Sequence, residues 1–169
     1  MRIVSWNMRK NKNAWGYFFE SLDPDIALLQ ETSPLNGDYQ FNIITKNVKK
    51  NLNNSILFKT DQPQELPIED AQKMGLISSR YKTEREDLFI LSIYGNLSFI
   101  GTLDFVLLET IEYFVNEMRQ NFNAKDILIS GDFNMDRRMD DNPTKSKFSK
   151  KGETRHNDFF DGILDLGFH

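Results

Sequence analysis

The stretch Asp126-Ile127-Leu128-Ile129-Ser130-Gly131-Asp132-Phe133-Asn134 decides how this chain reads. Ile127 to Ile129 is a short, unbroken apolar run, the pattern of a buried strand. It stops in a glycine, a carboxylate and a carboxamide, so groups capable of chemistry stand where the strand ends. Two other stretches repeat the arrangement. Ile3-Val4-Ser5-Trp6 runs into Asn7, and Ile26-Ala27-Leu28-Leu29 runs into Gln30-Glu31. If these three strand ends lie side by side, Asn7, Glu31, Asp132 and Asn134 share one small volume. Oxygen donors of this kind suit a hard divalent cation, Mg²⁺ or Mn²⁺, better than zinc. Singly, each has a plainer reading. An Asn after a strand is a turn residue, a Glu at a strand end is a solvated charge, and Gly-Asp-Phe-Asn is a turn closed by an Asx hydrogen bond. Their recurrence in one strand context favours a site.

The elements between these strands follow from hydrophobic spacing. Ala14 to Leu22 sets Trp15, Phe18, Phe19 and Leu22 on one helical face, and Asp23-Pro24 ends it, because the residue before a proline avoids the helical conformation. Phe41–Thr45, Ser55–Phe58, Gly75–Arg80 and Leu88–Tyr94 read as strands. The Asn- and Lys-rich stretch Lys46–Asn54 reads as a solvated turn, and Gln62–Pro67, which holds Pro63 and Pro67, as loop or sheet edge. Thr102–Phe122 is the clearest helix. Its stripe is Leu103, Leu107, Ile111, Phe114, Met118 and Phe122, widened by Val106, Leu108 and Val115. A polar loop covers Met135–Glu153. Asn157–Leu166 then reads as a last helix, with Phe159, Phe160, Ile163 and Leu166 inward and Gly167 as its stop. Strand–helix–strand, a run of strands, then helix–strand–helix predicts one layered α/β domain over residues 1–169.

Composition narrows the partners. No apolar run approaches the roughly 20 residues that span a bilayer, so no membrane is expected. The absence of cysteine excludes disulfides and thiolate metal sites and fits a cytoplasmic location. A net charge of −4 argues against coating nucleic acid through overall basicity, though it leaves room for a local basic patch. Such a patch is present after the Gly-Asp-Phe-Asn stretch: Arg137, Arg138, Lys145, Lys147, Lys150 and Lys151, interrupted by acids. Following an active-site strand, these cations could meet a phosphodiester backbone; a solvated loop is the other reading.

Three segments, Ile3–Arg9, Asp25–Glu31 and Ile127–Asn134, resemble in order the first, second and central signatures of the endonuclease/exonuclease/phosphatase superfamily. The superfamily includes abasic-site endonucleases, DNase I-like nucleases, sphingomyelinases, inositol polyphosphate phosphatases and deadenylases. The resemblance implies a four-layer α/β/β/α sandwich, two sheets face to face with helices outside. It implies Glu31 as the principal ligand of Mg²⁺ or Mn²⁺, supported by Asn7. It also implies Asp132 as the residue that orients or deprotonates the attacking water, and Asn134 as a donor to a phosphate oxygen. Tyr94 resembles a phosphate-contacting Tyr of some members, although Gly95-Asn96 lacks their Pro-Asn spacing, and a structural role is the alternative. Arg9 departs from members that place an acid there.

The superfamily's closing Ser-Asp-His motif has no counterpart here. His169 follows Gly167-Phe168, and His156 lies before the last helix between Arg155 and Asn157, so both read as surface or helix-end residues. The resemblance thus implies a domain without its final strands, weakened as a catalyst, with sheet edges open to self-association. The expected function is a Mg²⁺-dependent phosphodiesterase acting on nucleic acid. A non-catalytic module binding metal, nucleic acid or a partner, and a phosphomonoesterase acting on a small molecule, are the alternatives.

Overall fold

The computed structural model describes residues 1–35, 40–49, 52–60, 63–66, 68, 76–84, 87–95, 103–135 and 155–168. The chain divides into two compact units, Met1–Tyr94 with Asn123–Asp132, and Gly95–Phe122 with Phe133–His169.

The first unit is built on two four-stranded sheets. Strands β1 (Ile3–Asn7), β2 (Ile26–Thr32), β3 (Asn42–Lys49) and β4 (Leu52–Phe58) form one sheet in the order β1-β2-β4-β3. Strands β5 (Gln64–Glu65), β6 (Ile77–Lys82), β7 (Asp87–Tyr94) and β8 (Asp126–Asp132) form the other, in sequence order. Each sheet carries one parallel pair, β1 with β2 and β7 with β8; the remaining pairs are antiparallel. A parallel pair needs a crossover, and both crossovers contain a helix. Between β1 and β2 it is α1 (Ala14–Tyr17), which widens into a π turn, Phe18–Leu22. Between β7 and β8 it is α2 (Leu103–Phe122).

Strand alternation sorts the apolar side chains into two layers. Ile26, Leu28, Ile56 and Phe58 of the first sheet meet Ile77, Tyr81, Leu88 and Ile90 of the second, and the rings of Phe58 and Tyr81 stack 5.8 Å apart. On the other face of the first sheet, Ala27, Leu29 and Leu57 pack against Met8, Ala14, Trp15 and Phe18. β2 is therefore apolar on both faces, which is why its sequence shows a run and no alternation. α1 follows its expected face: Trp15 and Phe18 are buried and Phe19 and Leu22 pack beside them. It ends at Asp23, which turns left-handed at φ 36° ahead of Pro24.

Three expectations need correction here. Within the Lys46–Asn54 stretch, residues 46–49 and 52–54 are strand and not turn: β3 runs on to Lys49, β4 begins at Leu52, and Asn54 is fully buried. Antiparallel pairing with β4 holds those polar residues extended despite their poor strand propensity. The strand Ile3–Asn7 is not buried on both faces, and Ile127–Ile129 are only half-buried. Among the described residues β1 and β8 each stand last in their sheet, paired on one side only. Gln64–Glu65 does lie at a sheet edge, as the prolines around it suggest.

On β6 and β7, Arg80 donates to both carboxylate oxygens of Asp87, at 2.7 and 2.6 Å, and its guanidinium lies 5.0 Å from the Phe89 ring centre. The hydrogen bond from Arg80 holds the Asp87 carboxyl below its ordinary range. A carboxyl lowered on folding stabilises the fold above its unfolded pKa, and that contribution is lost as pH falls through the folded value. Asp87 is substantially exposed, so the pair is worth under about 1 kcal/mol. Thermal unfolding measured below about pH 4 should accordingly show a slightly shallower acid decline in Asp87→Asn than in the parent. Equal slopes would mean the pair contributes nothing.

The second unit holds α2 and α3 (Arg155–Asp165). Leu107, Ile111, Phe114, Val115 and Met118 of α2 are buried, which is the expected stripe, whereas Phe122 at its end is exposed. The two helices approach closely: a Cβ on Gly162 would stand 2.7 Å from a Leu108 methyl. Arg119 donates to the Leu166 carbonyl, and Phe159 packs edge-to-face against both Phe133 and Phe160. Gly167, at φ 87°, closes α3 with its N–H on the Leu164 carbonyl. His156 is buried in the first turn of α3 and is not a surface residue.

Candidate active site

Four polar side chains meet at one end of the space between the two sheets. Asn7 and Glu31 come from the first sheet, Tyr94 and Asp132 from the second. The Asn7 amide nitrogen donates to Glu31 Oε1 at 3.3 Å and to Asp132 Oδ2 at 2.7 Å. The Tyr94 hydroxyl donates to the same Glu31 oxygen at 3.1 Å. One amide nitrogen thus lies within reach of two carboxylates that are 101 residues apart in sequence and belong to different sheets.

Each residue is aimed by its own backbone. Asn7 is the last residue of β1, and its Oδ1 accepts the N–H of Arg9, an Asx turn that leaves Nδ2 facing the acids. Arg9 and Lys10 take left-handed φ of 50° and 57°, so the chain bends back and the Lys10 N–H reaches the Glu31 carbonyl at 2.9 Å. Glu31 is the more unusual case. By alternation from Ala27 and Leu29 it would point to the α1 face of its sheet. Instead the pairing of β2 with β4 slips between Gln30 and Thr32, and Glu31 adopts φ 52°. The bulge re-aims the carboxylate toward Tyr94 and Asn7.

On the second sheet, Tyr94 pairs with Asp132 in register, following Ile93 with Gly131. Gly131 has φ 144°, and a Cβ there would run into the carbonyl of Ile93. Glycine is what lets β8 come this close to β7 and deliver Asp132 beside Tyr94. Burial, followed by the charge and hydrogen bond of Glu31 and the charge of Asp132, pushes the Tyr94 phenol up to about 12. Tyr94 is a neutral donor throughout the physiological range.

Asn134 belongs to the second unit. It is left-handed at φ 53°, and its amide donates to the Gly95 carbonyl at 2.6 Å. A Cβ on Gly95 would collide with the Phe133 carbonyl, which accounts for glycine directly after Tyr94. Arg137, Arg138, Lys145, Lys147, Lys150 and Lys151 lie outside the described residues, as does His169.

Among the described residues no group of three or more His, Cys, Asp or Glu side chains could hold a metal. The cluster of Asn7, Glu31, Tyr94 and Asp132 holds two carboxylates, one fewer than such a group needs. Mg²⁺ binds through one or two carboxylates and completes its shell with water and substrate phosphate. Glu31 and Asp132 are two such carboxylates, and the Asn7 amide nitrogen bridges them with a partial positive charge. Among the described residues no helix is long and apolar enough to cross a membrane.

No protein-family model and no curated protein sequence matches this chain. Solved structures do. The endonuclease domain of TRAS1, a telomere-specific non-LTR retrotransposon, superposes at TM-score 0.66 with 15% identity, over 99% of this chain and 71% of that one. The 3'-5' exonuclease NExo from Neisseria meningitidis gives 0.63 and 16%, over 98% and 71%. An AP endonuclease from Archaeoglobus fulgidus gives 0.59 and 18%, over 99% and 70%. Identity this low speaks to the fold, and the fold agrees among all three.

Proposed function

From a chain with the DNase I-like α/β fold of the endonuclease/exonuclease/phosphatase enzymes, we infer a divalent-cation-dependent hydrolase of phosphodiesters, with nucleic acid as substrate. One observation carries the reading: a single amide nitrogen joins Glu31 and Asp132, acids from opposite sheets, with a neutral phenol on the same carboxylate. Two carboxylates at this range repel a phosphodiester anion. Bound at these acids, a divalent cation would reverse the local field and make the same place attractive to phosphate. The structural likeness to an endonuclease domain, an AP endonuclease and an exonuclease supports nucleic acid over a small phosphorylated molecule.

In this reading Glu31 would hold Mg²⁺ or Mn²⁺ through its carboxylate, and Asn7 would join it through Oδ1 once its side-chain amide turns over from the orientation in which Nδ2 faces the acids. When bound, the cation supplies charge neutralisation at the phosphate and polarises its P–O bonds. Asp132 accepts a proton from water as the water oxygen bonds to phosphorus and the ester P–O bond breaks. Tyr94, un-ionised, donates a hydrogen bond to the anionic oxygens, and Asn134 is proposed from sequence alone for the same purpose. The cations Arg137, Arg138, Lys145, Lys147, Lys150 and Lys151 are proposed from sequence to contact the backbone on either side of the cut.

Incubating the chain with supercoiled plasmid and with an abasic-site duplex tests the proposal. Nicking should need Mg²⁺ or Mn²⁺ and stop in EDTA. Intact substrates under single-turnover conditions, with either metal, would overturn it.

A further inference from the structure

The site is assembled across two sheets, and the bonds that close it are poor rulers of the gap. Asn7, Glu31, Tyr94 and Asp132 are all half-buried, and each must exchange partners if phosphate and a cation enter. The apolar layer of Ile26, Leu28, Ile56, Phe58, Ile77, Tyr81, Leu88 and Ile90 holds the sheets together, but apolar contact sets no direction and tolerates small slides. Between that layer and the site lies a reciprocal polar contact. Asn54 of β4 donates through Nδ2 to the Ser92 carbonyl of β7 at 3.1 Å, and the Ser92 hydroxyl donates to Asn54 Oδ1 at 2.9 Å. Both residues are fully buried.

Register puts this contact one step beneath the site on both sides. Asn54 pairs with Gln30, the residue before Glu31, and on the same line Gln30 pairs with Asn7. Ser92 precedes Tyr94 by one strand repeat on the same face and pairs with Ser130, which precedes Asp132 likewise. We propose that Asn54 and Ser92 are positioning residues: their double hydrogen bond fixes the separation and offset of the two sheets, so that Glu31 and Asn7 meet Tyr94 and Asp132. Neither residue touches substrate. Stability alone gives little reason for a polar pair here, because the net contribution of a buried hydrogen bond is modest, about 0.5–1.5 kcal/mol. A polar pair does what an apolar pair does not, since both bonds form together in only one relative placement of the strands.

The catalytic consequence rests on the hydrolytic reading above, while the geometric claim does not. The test therefore has two readouts, both on the full chain, in Asn54→Leu/Ser92→Ala, with Ser92→Ala and the core control Ile56→Val alongside. The Asn7 side-chain amide resonance, assigned by its loss in Asn7→Ala, reports the gap directly, because that nitrogen bridges the two sheets. It should shift and broaden in the double variant and stay in place in Ile56→Val. Thermal unfolding should drop in Ser92→Ala, which removes the donor to Asn54 Oδ1 while the bond from Asn54 Nδ2 to the residue-92 carbonyl remains. Single-turnover plasmid cleavage should then show kcat at least about tenfold down in the double variant, with KM within about threefold of the parent. An Asn7 resonance unchanged in the double variant, or shifted equally by Ile56→Val, would overturn the proposal. A shifted resonance with parental kcat would overturn its catalytic part. If the parent itself cleaves nothing, the hydrolytic reading fails by itself, and the resonance still decides whether Asn54 and Ser92 set the gap.

Discussion

Asp132→Asn is expected to slow plasmid nicking by about a hundredfold to ten-thousandfold while leaving the fold intact. Asn is nearly isosteric with Asp, and its side-chain oxygen can still accept the hydrogen bond that Asn7 Nδ2 gives to Asp132 Oδ2 at 2.7 Å. Thermal unfolding should therefore stay close to that of the parent. What disappears is a negative charge and a proton acceptor. General-base assistance of this kind contributes on the order of 10²–10⁴ in rate. Because the loss falls on the transition state, kcat should carry it and KM should change little. Single-turnover nicking measured beside circular dichroism separates the two effects. A variant that nicks like the parent would remove Asp132 from the chemistry and leave it as a partner of Asn7.

The other large effect should come from Gly131→Ala, and it should appear in stability as well as activity. A Cβ at this position would collide with the Ile93 carbonyl, a backbone atom that cannot rotate away, and φ 144° is strained for any other residue. Strain and overpacking together should cost at least about 2 kcal/mol. For a chain of this size that lowers the unfolding midpoint by several degrees, about 4–8 °C or more. To relieve the collision β8 must draw back from β7, which pulls Asp132 away from Tyr94 and Asn7. Gly16→Ala is the matching control. Gly16 is exposed in α1 and an added Cβ meets nothing within 4 Å, so the change should stabilise by about 0.5–1 kcal/mol. If Gly131→Ala unfolds no earlier than the parent, the close approach of β7 and β8 is not as tight as described.

What could be seen in the sequence was what local spacing encodes. Ile26–Leu29 announced β2 because a strand apolar on both faces needs an unbroken run, and the stripe of Leu107, Ile111, Phe114 and Met118 announced α2. Asn7, Glu31 and Asp132 stood out because each interrupts or ends such a stretch, and the structure does bring them together with Tyr94. Other features depend on pairing, which spacing does not reveal. Lys46–Asn54 reads as a turn by composition, yet residues 46–49 and 52–54 are held in β3 and β4 by cross-strand bonds. The bulge that turns Glu31 inward leaves no mark in Leu29-Gln30-Glu31-Thr32, since φ 52° at a Glu is imposed by register. Tyr94 could be weighed only as loosely motif-like, because its partner Glu31 lies on another sheet. Asn54 and Ser92, each unremarkable in its own strand, acquire meaning only when the sheets face each other.

The measurement closest to the heart of the matter is Mn²⁺ binding, followed by calorimetric titration in the parent, in Glu31→Gln and in Asp132→Asn. If the acids joined by Asn7 form a cation site, the parent binds one Mn²⁺ per chain. Removing the Glu31 charge should then weaken binding by at least about tenfold, the effect of losing roughly 1.4 kcal/mol, and by more than removing the Asp132 charge does. Parental affinity in Glu31→Gln, or no Mn²⁺ binding in the folded parent even with a phosphodiester present, would contradict the assignment of this cluster as a metal-assisted active site.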